Sequence, residues 1–273
     1  MIFDCHVHTA EHPQTPADYL KSLDAAGVEK TILLSFTPAS FGRMMSSGSP
    51  PSPQEALKSV MDWARYSDRI IPFFWIDPIE DGAIDQVDRA VDAGIAGFKV
   101  ICNRHFPGDE RALKVYERIA AAGKPMLFHS GILYSASPSS QYNRPAYFEP
   151  LFFIPKLRFA MAHVSWPWHD ECLAVYGHWG NCKEKGLTTA EMFIDTTPGT
   201  PKIYREEVLR KIYTIGYHIE DNVIFGTDCD SHYSSDYAQQ ILAMDKEALD
   251  NIGVSAERRE KYYHKNLLRF LGQ

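Results

Sequence analysis

Eight short apolar runs, each ending in polar or small residues and followed by a stretch of helical periodicity, predict an α/β fold whose parallel strands close into a (β/α)8, or TIM, barrel. A second observation separates this from a doubly wound open sheet. An open-sheet nucleotide binder shows a GxGxxG turn after an early strand, whereas here the first strand runs into DCHVH. Third, 273 residues is a length at which such barrels fold as one domain, and no linker, internal repeat or Walker sequence divides 1–273.

The elements follow in order. IFDC opens the chain as a strand at 2–5, and a helix at 16–26 stops at Gly27, which can take a left-handed cap. TILLS (31–35) precedes a helix at 53–67, and IIPFFWI (70–76) precedes one at 82–93 that ends before Gly94. GFKVI (97–101) is followed by a helix at 110–122 before Gly123, and PMLFH (125–129) by a helical stretch at 146–153. RFAMA (158–162) pairs with a helix at 168–178, MFID (192–195) with one at 201–215, and VIF (223–225) with one at 235–249. A last helix at 256–271, with apolar residues spaced by three and four in YYHKNLLRFL, is expected to pack on the barrel's outside. Two long connections, 36–51 with Met44 and Met45 and 132–145 with Tyr142 and Arg144, follow strands. Both are therefore expected on the catalytic face.

Composition narrows the function classes. With 45% apolar and 23% charged residues the chain reads as an ordinary globular protein. A net charge of −7 without a Lys/Arg cluster disfavours nucleic-acid binding. No window reaches the roughly 18 consecutive apolar residues of a membrane span, and no basic-then-apolar leader is seen, so a cytoplasmic setting away from membranes is expected. Five cysteines without CxxC spacing read as reduced thiols, with Cys5 and Cys229 adjoining candidate site residues. The expected partner is a small-molecule substrate, with a homodimer the expected assembly.

Side chains alternate along a strand, so His6 and His8 should point together into the barrel mouth while Val7 points away. Asp4 is expected to share their parity and to support a ligand from below. Two surface histidines on an edge strand would read the same way. Other polar residues stand at the same address, the C-terminal end of a strand: His129 in PMLFHSG, His163 in RFAMAHVS and Asp228 in VIFGTDCD. Barrel enzymes draw their catalytic residues from several such ends.

In these motifs, DCHVH, GFKV, FHSG, AHVS, FGTD and NLLRFL, the sequence resembles the amidohydrolase superfamily, and within it the amidohydrolase-related branch that includes aminocarboxymuconate-semialdehyde decarboxylase. The resemblance spans essentially the whole chain. It implies metal ligation by His6, His8, His129 and Asp228, with His163 beside the metal-bound water or the substrate. Imidazoles plus a carboxylate suit one divalent ion, Zn(II) first, with a position left for water. Asp228 would then relay the water's proton and His163 would hydrogen-bond the nucleophile or oxyanion. Other branches carboxylate a lysine at the address of Lys99 to bridge a second metal; otherwise Lys99 is an ammonium for a substrate carboxylate.

Around this centre, Arg104 and His105 after the fourth strand, Tyr142 and Arg144 after the fifth, and Trp166 and Trp168 after the sixth are candidate substrate contacts. Against that stands the reading of surface arginines and of tryptophans that plug a helix onto the barrel. The expected reaction is hydrolysis of a C–N or C–O bond in a small substrate that can carry a carboxylate. The alternatives are non-oxidative decarboxylation of an unsaturated or aromatic acid, a metal-free lactonase and a barrel that binds without turnover.

Overall fold

The computed structural model describes residues 1–44, 50–135 and 138–273. The strands are β1 (Phe3–His8), β2 (Lys30–Leu34), β3 (Ile70–Trp75), β4 (Gly97–Val100), β5 (Met126–Phe128), β6 (Arg158–Met161), β7 (Glu191–Asp195), β8 (Val223–Ile224) and β9 (Cys229–Asp230). All pair in parallel, β1 to β8 with sequential neighbours and β9 with β1. β8 and β9 are two parts of one eighth strand interrupted at 225–228. Cys5 N donates to Phe225 O and Asp228 N to His6 O across that interruption, which brings the last strand back to the first and closes the ring.

Strand alternation sorts the apolar residues into two layers. Phe3, Cys5, Ile32, Leu34, Phe73, Leu127, Ala160, Phe193 and Ile224 pack together as the barrel interior, all fully or nearly fully buried. Val7, Leu33, Phe74, Phe98, Phe128, Phe159 and Met192 belong to the larger outer layer that meets the helices. Those helices are α1 (Pro16–Ala26), α2 (Pro53–Tyr66), α3 (Ala83–Asp92), α4 (Glu110–Ala121), α5 (His169–Glu184), α6 (Arg205–Thr214), α7 (Ser235–Ile252), α8 (Ala256–Glu260) and α9 (Asn266–Leu271). Several begin where a side chain satisfies the first free amides: Thr15 caps α1, Asp109 caps α4, and Ser52 and Glu55 cap α2 reciprocally.

Two expectations are corrected. The 146–153 stretch is a 3-10 segment, Pro145–Phe153, with Pro150 inside it, because a proline lacks the amide an α-helix needs there. The closing helix does not lie on the barrel's outside. It is broken by a wide π turn at Lys261–Lys265, and α9 inserts Leu267 and Phe270 into the interior layer, Phe270 against Phe73 and Phe193. Its position is the N-terminal end of the barrel, since Arg158 at the start of β6 donates to Phe270 O.

At the opposite end, described parts of the two long connections meet the barrel: Phe41 packs with Trp75 and Leu133, and Ile132, Leu133 and Tyr134 line the mouth. Residues 45–49 of the first, Met45 among them, and 136–137 of the second lie outside the described residues. All five cysteines are free and buried. Among the described residues no helix is long and apolar enough to cross a membrane.

Candidate metal centre

β1 carries a register shift between Asp4 and Val7, and this irregularity sets the site. Phe3 and Cys5 face the interior below it; His6 and His8 face the mouth above it. Asp4 therefore does not share the histidines' parity. Fully buried, its carboxylate accepts from Thr227 Oγ1 (2.6 Å), Tyr233 Oη (2.9 Å) and the Thr227 and His6 amides (both 3.0 Å), so it ties β1 to the eighth strand without touching either imidazole. Burial pushes its pKa up to about 6 against these hydrogen bonds.

The carboxylate that supports His6 is Asp195, at the end of β7. His6 donates Nδ1–H to Asp195 Oδ2 at 2.8 Å, with both side chains fully buried. A carboxylate accepts only, so this contact leaves the lone pair on Nε2. That nitrogen is 3.2 Å from His8 Nε2 and 3.6 Å from Asp228 Oδ1, and His8 Nε2 is 3.2 Å from the same oxygen. Ligands about 2.0–2.1 Å from a tetrahedral cation stand about 3.3 Å apart, so the triangle already has the edge lengths a Zn(II)-like ion requires. Asp228 Oδ1 makes no well-aligned hydrogen bond of its own. The donor set and its spacing fit a divalent cation.

Asp228 reaches this position because the eighth strand breaks. It sits at φ 59°, and Gly226 before it allows close approach: a Cβ there would lie 2.5 Å from Thr197 Cγ2 and 2.9 Å from Cys5 Sγ. His163 and Val164 also take positive φ, 61° and 44°, which turns His163 off the end of β6. Thr197 Oγ1 lies 2.9 Å from His163 Nδ1 and fixes the ring.

These residues line one cavity of about 230 Å³, with His6, His8, Lys99, His129, His163 and Asp228 at its polar end and Ile101, Ile132, Leu133, Trp166 and Pro198 as its apolar wall. His129 belongs to this cavity, but it donates Nε2–H to Ile132 O at 3.2 Å, so the gathered triangle is His6, His8 and Asp228. Lys99 is fully buried with Nζ 3.2 Å from His6 Nε2. Burial lowers its pKa to about 8, that of His163 to about 4, and those of His6 and His129 well below the usual range, so the three imidazoles are neutral. For Asp228 burial disfavours charge, but as pH falls the surrounding imidazoles, His6 first, take up protons before it and as cations hold the carboxyl well below its ordinary range.

Of the expected substrate contacts, Lys99 and Trp166 line this cavity. Arg104, His105 and Tyr142 line a separate cleft of about 870 Å³, and Arg104 pairs with buried Asp77. Arg144 pairs with Glu171 at 2.7 Å and lies over Trp168, a surface arrangement of the kind the alternative reading described. Sequence reasoning missed Asp195, Thr197, Ile101, Leu133 and Gly199. Asp195 could have been found, since it stands at the same strand-end address as the others; the apolar wall carries no such signal.

The fold has known counterparts. A family model described as Amidohydrolase matches residues 3–273. Among solved structures, a probable 2-pyrone-4,6-dicarboxylic acid hydrolase from Acinetobacter baumannii, with citric acid bound, is similar with a TM-score of 0.64 at 12% identity, covering 100% of this chain and 99% of that one. IDCase from Metarhizium anisopliae gives 0.61 at 13%, covering 100% and 97%. Dihydroorotase from Campylobacter jejuni gives 0.59 at 15%, covering 100% and 83%. No curated protein sequence matches the chain. With a family match over nearly its entire length, joined to a barrel that gathers His6, His8 and Asp228 at its mouth, the chain belongs to the amidohydrolase family.

Proposed function

We propose that the chain hydrolyses a C–N or C–O bond of a small substrate, using one divalent cation, Zn(II) by the chemistry of its donors, held by His6, His8 and Asp228 with His129 beside them. The observation that carries this reading is the triangle of His6 Nε2, His8 Nε2 and Asp228 Oδ1 with edges of 3.2–3.6 Å. When bound, the cation supplies Lewis acidity and lowers the pKa of water at the site.

The protein's own groups do the rest. Asp228, ionised, takes the proton of the attacking water on Oδ2, the oxygen outside the triangle, and returns it to the leaving group. His163, kept neutral by burial and oriented by Thr197, hydrogen-bonds the developing oxyanion. Lys99 places the one cationic side chain among the described cavity residues at the polar end, where a substrate carboxylate or carbonyl would lie. The apolar wall excludes water around the reacting bond.

The place of His163 in the cavity also supports a second reading, non-oxidative decarboxylation, in which the neutral ring first takes a proton from water and then delivers it to carbon. One experiment separates them: purified protein is assayed for CO2 release from unsaturated and aromatic acids and for cleavage of lactones, esters and cyclic amides. Metal-dependent cleavage without CO2 supports hydrolysis, and CO2 release without cleavage overturns it.

A further inference from the structure

Behind β7, away from the cavity, lies a closed network of buried polar side chains from three different helical segments. Arg205, the first residue of α6, is 5% exposed and holds fully buried Asp245 of α7 through Nε at 2.7 Å and Nη2 at 2.8 Å. Tyr262 in the π turn donates its hydroxyl to Asp245 Oδ2 at 2.6 Å. Both converge on one residue: Arg205 Nη1 donates to Thr196 O, and Thr196 Oγ1 meets Tyr262 Oη at 2.7 Å.

Thr196 occupies a special place in the strand pattern. Its amide still bonds Ile224 O, so the strand continues through it and its side chain points opposite to those of Asp195 and Thr197. Asp195 accepts from His6, Thr197 meets His163, and Asp195 Oδ1 also accepts from the Thr197 amide at 2.5 Å. One peptide thus has its outward face gripped by the network and its two inward neighbours gripping a metal-site imidazole and a cavity imidazole. Arg205, from the start of α6, also closes the connection that carries Pro198 and Gly199, both in the cavity wall, by bonding Thr196, the first residue after β7.

We propose that Arg205, Asp245 and Tyr262 are positioning residues: by fixing the Thr196 peptide they set the orientations of His6 and His163 together. Removing a hydroxyl from the network would let the Thr196 peptide rotate and loosen both rings at once. Its relevance to catalysis rests on the hydrolase reading of the site, but its effect on the two rings does not.

Tyr262→Phe and Thr196→Val each delete one hydroxyl with little change of shape, and Thr196→Ser restores it. Ring-nitrogen NMR of the metal-free protein and the Zn(II) dissociation constant are measured for each variant, together with the melting temperature. Expected are shifted His6 and His163 ring resonances and Zn(II) binding weakened by about tenfold in both deletion variants, with Thr196→Ser close to the parent. Lower melting temperatures with unchanged ring resonances and a dissociation constant within twofold of the parent would make the network structural only and overturn the proposal. If the parent itself fails to bind Zn(II), the hydrolase reading falls, while the ring resonances still decide the positioning role.

Discussion

Replacing Asp195 by Asn tests the electrostatic logic of the site at one buried atom pair. Asp195 accepts twice: Oδ2 from His6 Nδ1–H at 2.8 Å and Oδ1 from the Thr197 amide at 2.5 Å. Asparagine has one acceptor and one donor group, so it cannot accept from both as Asp195 does. If the amide oxygen keeps Thr197, the NH2 faces His6 and forces the tautomer with hydrogen on Nε2, which aims a proton at His8 and Asp228. If it keeps His6, two donors oppose each other at Thr197. Without metal the first arrangement satisfies both groups, but a metal needs a bare Nε2 and so forces the second, whose opposed buried donors cost about 1–3 kcal/mol. At about 1.4 kcal/mol per tenfold, that corresponds to a loss of roughly 10- to 100-fold in divalent-metal affinity, the range known for a lost ligand-supporting carboxylate. Competition against a chromogenic chelator reads the constant directly. An Asp195→Asn protein that binds Zn(II) within twofold of the parent would refute this account of His6.

Other consequences follow from single contacts. A Cβ at Gly199 would lie 2.9 Å from His163 Cβ, so Gly199→Ala should displace that ring and lower kcat by tenfold or more at nearly unchanged metal content; a parental kcat would remove His163 from the mechanism. Lys99→Met should retain one metal per chain with equal or tighter binding, because it removes a cation 3.2 Å from His6; loss of the metal would instead show that Lys99 is itself a carboxylated ligand. Burial lowers the His105 pKa to about 4, and both its ring nitrogens are buried without partners. The unfolded chain, at about 6.5, takes up that proton first, so stability falls as pH drops from 6.5 to 4 and then levels, a loss of about 3 kcal/mol from this residue. His105→Leu should flatten this slope in urea unfolding at pH 7 and pH 4.5; an unchanged slope would assign the acid sensitivity elsewhere.

The barrel was readable because strand runs and helical periodicity are local, and the polar residues that end strands mark its catalytic face. His6, His8, His129, His163 and Asp228 all reach one cavity, as their shared address implied. What was not readable depended on backbone irregularity and on distance in the chain. The register shift after Asp4 reversed its side relative to His6, and no periodicity argument sees an inserted residue. The role expected of Asp4 falls instead to Asp195, 189 residues from the histidine it supports. Arg104 and Arg144 looked like carboxylate forks, but each is engaged by an acid, Asp77 and Glu171, that sequence could not pair with it. The closing helix kept its apolar spacing yet turned inward, because an amphipathic stripe specifies that a face is buried and not against which layer.

The most direct test of the account is the metal content of protein purified without chelators, measured by elemental analysis beside His8→Ala and Asp228→Asn. The triangle of donors predicts about one divalent ion per chain in the parent and little in either variant, with hydrolytic activity tracking the metal. A metal-free parent that gains no activity on adding Zn(II), or variants that retain the full complement, would contradict it.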